Sequence, residues 1–211
     1  MAPSRTGTLV ATAAALAIAV AVGYALHLTA KKRAEERALV SVLTDATAQL
    51  RQVFKAPAPG ALEKIEAGLR LTKDWSNAEV TDATQHYLIG AREILRRRAD
   101  SLRFTEKAAA SRAALAEHMK RAAGRRGGSW FRTASDLKKQ VERDHFDLEL
   151  SLKTLAELLD TLPDAHKRLA PHVQASLLLE DSARKEARAQ VVEEARRAAG
   201  ELEKARRLQG R

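Results

Sequence analysis

Residues 8–30 read TLVATAAALAIAVAVGYALHLTA, and KKR follows at 31–33. The 23 residues from Thr8 to Ala30 carry no formal charge. As a helix rising 1.5 Å per residue the run is about 34 Å long, enough to cross a hydrocarbon core of about 30 Å. Tyr24 and His27 fall near its end, where amphipathic rings reach the membrane interface, and Lys31, Lys32 and Arg33 then stop it. The stretch therefore predicts a single transmembrane helix over 8–30, behind a short tail at 1–7. Two readings compete. A cleaved signal peptide would use Gly23-Tyr24-Ala25 as its small-x-small site, but three cations soon after argue against it. An Ala-rich run of modest hydropathy also suits a buried core helix. Ala11, Ala15, Ala19 and Gly23 recur every fourth residue, a small-xxx-small row that lets two spans approach closely in lipid. In so Ala-rich a stretch, composition alone also produces such a row.

Orientation is set by the cations near the span. Arg5 precedes it, whereas Lys31, Lys32, Arg33 and Arg37 come after it. The positive-inside rule leans towards a single-pass membrane protein with a cytoplasmic C-terminal domain, over a periplasmic or extracellular one.

The remaining chain reads as helix. The whole has 211 residues, 37 Lys+Arg against 27 Asp+Glu, a formal charge of +10 and 4% aromatics. Ala, Leu, Glu, Lys and Arg dominate, and no alternating strand pattern is present, so the fold class is all-α. The absence of cysteine excludes a disulfide scaffold, a Cys zinc site, an iron–sulfur cluster and a thiol nucleophile. Leu39, Leu43, Ala46, Leu50 and Val53 form a heptad seam, which predicts a helical stalk over 31–55. A Pro/Gly break at 56–60 ends it. Residues 61–211 read as a helical bundle or coiled coil. A short helix carries Leu62, Ile65, Leu69 and Thr72 on one face. Ser76 and Glu79 have capping-box spacing, and helical pattern then runs to about Ala123. Its seam is Leu88, Ala91, Leu95, Leu102, Ala109, Ala116, Met119 and Ala123, interrupted by Arg98 and Arg112. A hairpin loop is expected at 124–134, with the next helix starting near Ser135 on a Leu seam from Leu137 to Leu162. Pro163 and Pro171 punctuate the next segment, and a last helix is expected from His172 to Leu208. Seams so rich in Ala bury little surface each, which points to stability gained over length or by self-association into a homo-oligomer.

The positive charge is concentrated. Residues 92–132 hold 12 cations and four anions, whereas 133–211 hold 15 of each. At 100° per residue Arg92, Arg96, Arg103, Lys107, Arg121 and Arg125 share one stripe, with Arg97, Arg98 and Arg126 beside it. Trp130 and Phe131 come directly after the glycines. The candidate binding residues are therefore Arg96, Arg97, Arg103, Arg121, Arg125, Arg126, Trp130 and Phe131. Such a surface suits an acidic protein partner or anionic lipid headgroups. A nucleic acid also attracts cations and stacks on aromatics, but no recognised motif for one is present. The bland alternatives are a solvated cationic face neutralised by neighbouring carboxylates, and an aromatic pair that seals a helical hairpin.

No catalytic site, cofactor, metal or small-molecule substrate is expected. The Gly124–Gly128 stretch lacks a phosphate-binding lysine. Glu142 and His145 have di-iron spacing, but the pair occurs once, among Arg143, Asp144 and Asp147 that read as exposed. Chemoreceptor sensor regions, secretion adaptors and phage spanins share this outline, a resemblance of architecture that carries no residues across. The expected function is a membrane-anchored helical scaffold or interaction protein. Its alternatives are a membrane-tethered nucleic-acid-binding protein and an exported envelope spacer.

Overall fold

The computed structural model describes residues 5–55, 60–121 and 127–208, with side chains for 20–55, 60–121 and 127–207. Among these residues the chain is helical throughout, with no strand. Five α-helices succeed one another: α1 (Arg5–Val53), α2 (Ala61–Leu71), α3 (Ala78–Arg121), α4 (Gly128–Leu169) and α5 (Asp181–Leu208). Short 3-10 turns at Thr72–Asp74 and Ala175–Leu177 join α2 to α3 and α4 to α5. Of the Pro/Gly break only Gly60 is among the described residues. Its φ of 77° is open to glycine at little steric cost, and its carbonyl accepts the first bond of α2 from Lys64 N–H.

Residues 31–55 are not a free stalk. Leu39, Val42, Leu43, Ala46, Leu50 and Val53 are all buried in the core, against α2 and α3. The heptad seam is thus satisfied within the chain rather than by a second copy. Each large side chain so buried contributes about 1.5–3 kcal/mol. Gly68 of α2 lets the two helices meet, because a Cβ there would stand 2.9 Å from Val42 Cγ1.

The contacts give the helix directions. The carboxylate of Glu35 accepts from Ser76 just before α3, Thr47 meets Tyr87, and Phe54 lies under the Arg98 guanidinium. So α1 and α3 run side by side in the same direction. α4 returns antiparallel to α3 along its whole length: His118 meets Trp130, Arg112 meets His145, and Tyr87 meets His166. α5 then tracks α3 outward, with Glu194 on Arg98 and Ala205 beside Leu115. The main core lies around α1, α2 and the facing halves of α3 and α4. A small second core of Leu115, Val141 and Ala205 holds the far end. Between them α3 turns a thin face inward, with Ser101, Ala108 and Ser111 buried and Ala109 exposed. The heptad extrapolation points Ala109 inward; a 3.6-residue turn drifts off a seven-residue repeat over that length.

Other boundaries differ from the sequence reading for local reasons. Asn77, not Ser76, caps α3: its Oδ1 accepts from Val80 N–H and its carbonyl from Thr81 N–H, while Ser76 is spent on Glu35. Gly127 is extended and its carbonyl accepts from Trp130 and Phe131, so α4 begins at Gly128 and the expected loop to 134 is shorter. Pro163 sits inside α4 without ending it. It cannot donate to the Leu159 carbonyl, and Arg184 Nη1 supplies that bond instead at 3.2 Å. The last helix starts at Asp181 rather than His172. The segment before it delivers Leu178 and Leu179 to the core and the Leu177 carbonyl to Thr47.

One hydrogen-bond relay ties these pieces together. Leu179 N–H donates to the Tyr87 hydroxyl at 3.4 Å, Tyr87 donates to Thr47 Oγ1 at 2.9 Å, and Thr47 donates to the Leu177 carbonyl at 2.8 Å. Burial pushes the Tyr87 phenol above its ordinary pKa, so it stays a donor. Removing its hydroxyl leaves two buried partners short. Tyr87→Phe is expected to lower the free energy of unfolding by about 1–3 kcal/mol in chemical denaturation, whereas Tyr24→Phe leaves it unchanged.

Candidate functional site

The described candidate cations stand in different surroundings. On the near half of α3 they are partly neutralised: Arg92 and Arg96 lie 3.0 and 3.6 Å from the one Glu93 carboxylate, and Arg97 lies 3.8 Å from Asp100. Pairs this open to water contribute little to stability, but they reduce the net charge. Arg96 and Arg97 rim an open cleft of about 530 Å³ with Val53, Ala61 and Leu62.

Arg98 turns inward. It is buried and bidentate to Glu194, at 2.5 and 3.0 Å, and Gln190 holds the same carboxylate at 3.0 Å. A seam position that reads as an interruption is therefore a tie between α3 and α5. Arg98 is so sheltered that removing Glu194, which is itself only half-buried, would strand the Arg98 charge away from water. Arg112 acts likewise further out, 3.2 Å from His145 Nε2 and 4.0 Å from Glu201. Asp144 is buried, against the exposed position expected of it, whereas Arg143 is exposed as expected and Asp147 half-buried; His145 is buried too. Among the described residues no three His, Asp or Glu side chains gather as a metal site would need. Arg103 and Lys107 lie against the Phe104 ring at 5.9 and 5.8 Å.

The far end differs. Residues 117–139 hold seven Lys or Arg and two carboxylates. Arg121 is 77% exposed and pairs with Glu117, one turn back. Arg125 and Arg126 lie outside the described residues. Trp130 and Phe131 sit in the first turn of α4, not in a loop, and they divide the work. Trp130 stacks on His118 at 5.2 Å and 15°, and its carbonyl lies 3.2 Å from His118 Nε2. It clamps α4 to the end of α3. Phe131 meets Trp130 edge-on at 5.0 Å and remains 56% exposed. The tip thus offers an apolar ring on a rigid backing within a cluster of cations. His118 gives no signal of this role in the sequence, because its partner lies across the hairpin.

At the opposite end the described part of α1 projects from the bundle. Val20, Val22, Tyr24, Leu26 and Leu28 are 47–64% exposed there. Among the described residues no helix is long and apolar enough to cross a membrane. The side chains of Thr8–Ala19, the first half of the expected span, lie outside them.

The chain matches no family model, and neither the curated proteins nor the solved structures give a match.

Burial sets a pH dependence. Desolvation first, then the Arg112 charge, holds the His145 imidazole below its ordinary pKa of 6.5. Desolvation and Arg184 do the same to His166, whose Nε2 is buried with no hydrogen-bond partner among the described residues. The folded chain therefore resists a proton that the unfolded chain accepts near pH 6.5, so this stability is full above that pH and falls as pH drops below it. The lowered carboxyls of Asp181, held by Lys185 and Arg184, and of Glu201, held by Lys204, act at lower pH, below 3.8 and 4.5. The melting temperature is expected to fall between pH 7.5 and pH 5.5 (about one unit either side of an ordinary His pKa), and His145→Gln with His166→Gln is expected to flatten that slope in thermal melts.

Proposed function

We propose that the protein is a membrane-anchored helical strut that holds a basic, aromatic tip away from its anchor to dock an acidic protein partner. One observation carries this reading: the apolar end of α1 and the cationic tip lie at opposite ends of the molecule. α1 and α3 are parallel and in step, with Glu35 level with Ser76. The 44 residues of α3 then reach about 66 Å further before the hairpin turns.

The anchor rests on the uncharged run Thr8–Ala30 and on α1 being one helix through it. A helix apolar all round needs protein or lipid to cover it, and Val20–Leu28 stand exposed with nothing packed on them among the described residues. The headgroups around that anchor are out of the tip's reach. Its surplus of cations, with Phe131 exposed among them, suits a carboxylate-rich protein surface carrying an apolar pocket. The length also suits a spacer, which sets how far from the membrane the partner is held.

Alkaline extraction of membranes is expected to leave the intact chain in the pellet and to release Val22→Asp with Leu26→Asp; release of the unaltered chain contradicts the anchor. For the tip, the purified full chain in neutral detergent is expected to bind immobilised polyglutamate in low salt. Arg121→Glu, Arg125→Glu and Arg126→Glu together are expected to abolish this, and Phe131→Ser to weaken it without changing the melting temperature. Undiminished binding by the triple variant contradicts the docking role.

A further inference from the structure

We propose that the anchored end of the bundle is itself a lipid-contact surface, with Leu71, Lys73 and Trp75 seated in the anionic headgroup layer of the membrane that holds α1. The inference rests on the anchor proposed above and adds a second attachment that the tip does not share.

Glu35 lies five residues beyond Ala30, about 8 Å along the helix. Its two carboxylate oxygens accept from Ser76 N–H at 2.9 Å and from Ser76 Oγ at 2.6 Å. These bonds hold the end of the turn between α2 and α3 about 8 Å beyond the apolar run. The residues displayed there are unusual for a polar turn. Leu71, the last residue of α2, is 58% exposed. Trp75 comes after the 3-10 turn in an extended conformation and is half-buried against the core, which leaves part of its indole outward. Lys73 stands exposed between them, and Lys31, Lys32 and Arg33 are exposed on α1 beside the turn. Carboxylates at this end are partly engaged: Glu35 is bonded to Ser76, with Lys31 at 3.8 Å, and Glu79 lies 3.6 Å from His172. Asp74 and Glu36 are exposed.

A tryptophan with an apolar neighbour suits the layer between hydrocarbon and water. Cations next to a span draw anionic lipids over a Debye length of about 10 Å. Position favours lipid as the occupant, because headgroups extend about 5–8 Å beyond the hydrocarbon on each side, and a turn about 8 Å from the end of a span meets their outer edge.

The chain's two tryptophans, Trp75 and Trp130, sit at its two ends and make the test direct. The full chain is reconstituted into phosphatidylcholine vesicles, with or without phosphatidylglycerol, carrying a quencher at headgroup depth. Trp130→Phe leaves Trp75 as sole reporter, and Trp75→Phe leaves Trp130. The expected result is a blue shift and loss of most Trp75 emission, greater with phosphatidylglycerol and reduced by salt, while Trp130 emission is unchanged. Leu71→Ser with Lys73→Glu is expected to restore Trp75 emission while the chain still floats with the vesicles. A chain that floats with Trp75 unquenched overturns this inference and leaves the anchor standing. Equal quenching with and without phosphatidylglycerol overturns the anionic component. A chain that does not float overturns the anchor, and this inference with it.

Discussion

The parallel seating of α1 on α3 is the constraint on which the remaining structure depends. Three contacts hold it in step along the helices: Glu35 on Ser76, Thr47 on Tyr87, and Phe54 beneath Arg98. The middle contact belongs to a relay in which every donor has an acceptor, and it also recruits the link between α4 and α5. With that direction set, α3 carries the chain away from the end at which α1 projects. Had α1 packed antiparallel, the apolar run and the basic tip would share one end, and the functional reading would be different.

Cations serve two purposes along the rod. In the middle of α3 the buried face is Ala and Ser, which bring helices close but remove little apolar surface from water. Arg98 with Glu194, and Arg112 with His145 and Glu201, tie the helices there. Further out, among the described residues, no carboxylate-rich helix covers the tip, and Lys120, Arg121, Arg132, Lys138 and Lys139 are exposed. Arg98 and Arg112 are thus structural, whereas Arg121 at the tip stays exposed beside Glu117.

The parts of the fold legible in the sequence were those set by one helix alone. The Leu seam of α4, the short α2 with its buried Ile65, and the buried seam of α1 are consequences of spacing. What the α1 seam packs against was not legible, because a heptad does not say whether its partner is the same chain. Local rules failed where a distant residue intervened. Ser76 has the chemistry of a cap, but Glu35 claims it; Pro163 has the chemistry of a break, but Arg184 repairs it. The tip was legible as charge and aromatic character, and the division between Trp130 as clamp and Phe131 as exposed ring was not, since it depends on His118 across the hairpin.

The chain has no cysteine, so spin labels placed at Lys32→Cys and Arg132→Cys report a single distance. Measured on the full chain in vesicles, that distance tests directly whether the two ends are held apart. The expected result is one narrow distribution near 65 Å, the reach of α3 at about 1.5 Å per residue. A distribution centred at less than about half that reach would place the tip beside the anchor and contradict the strut.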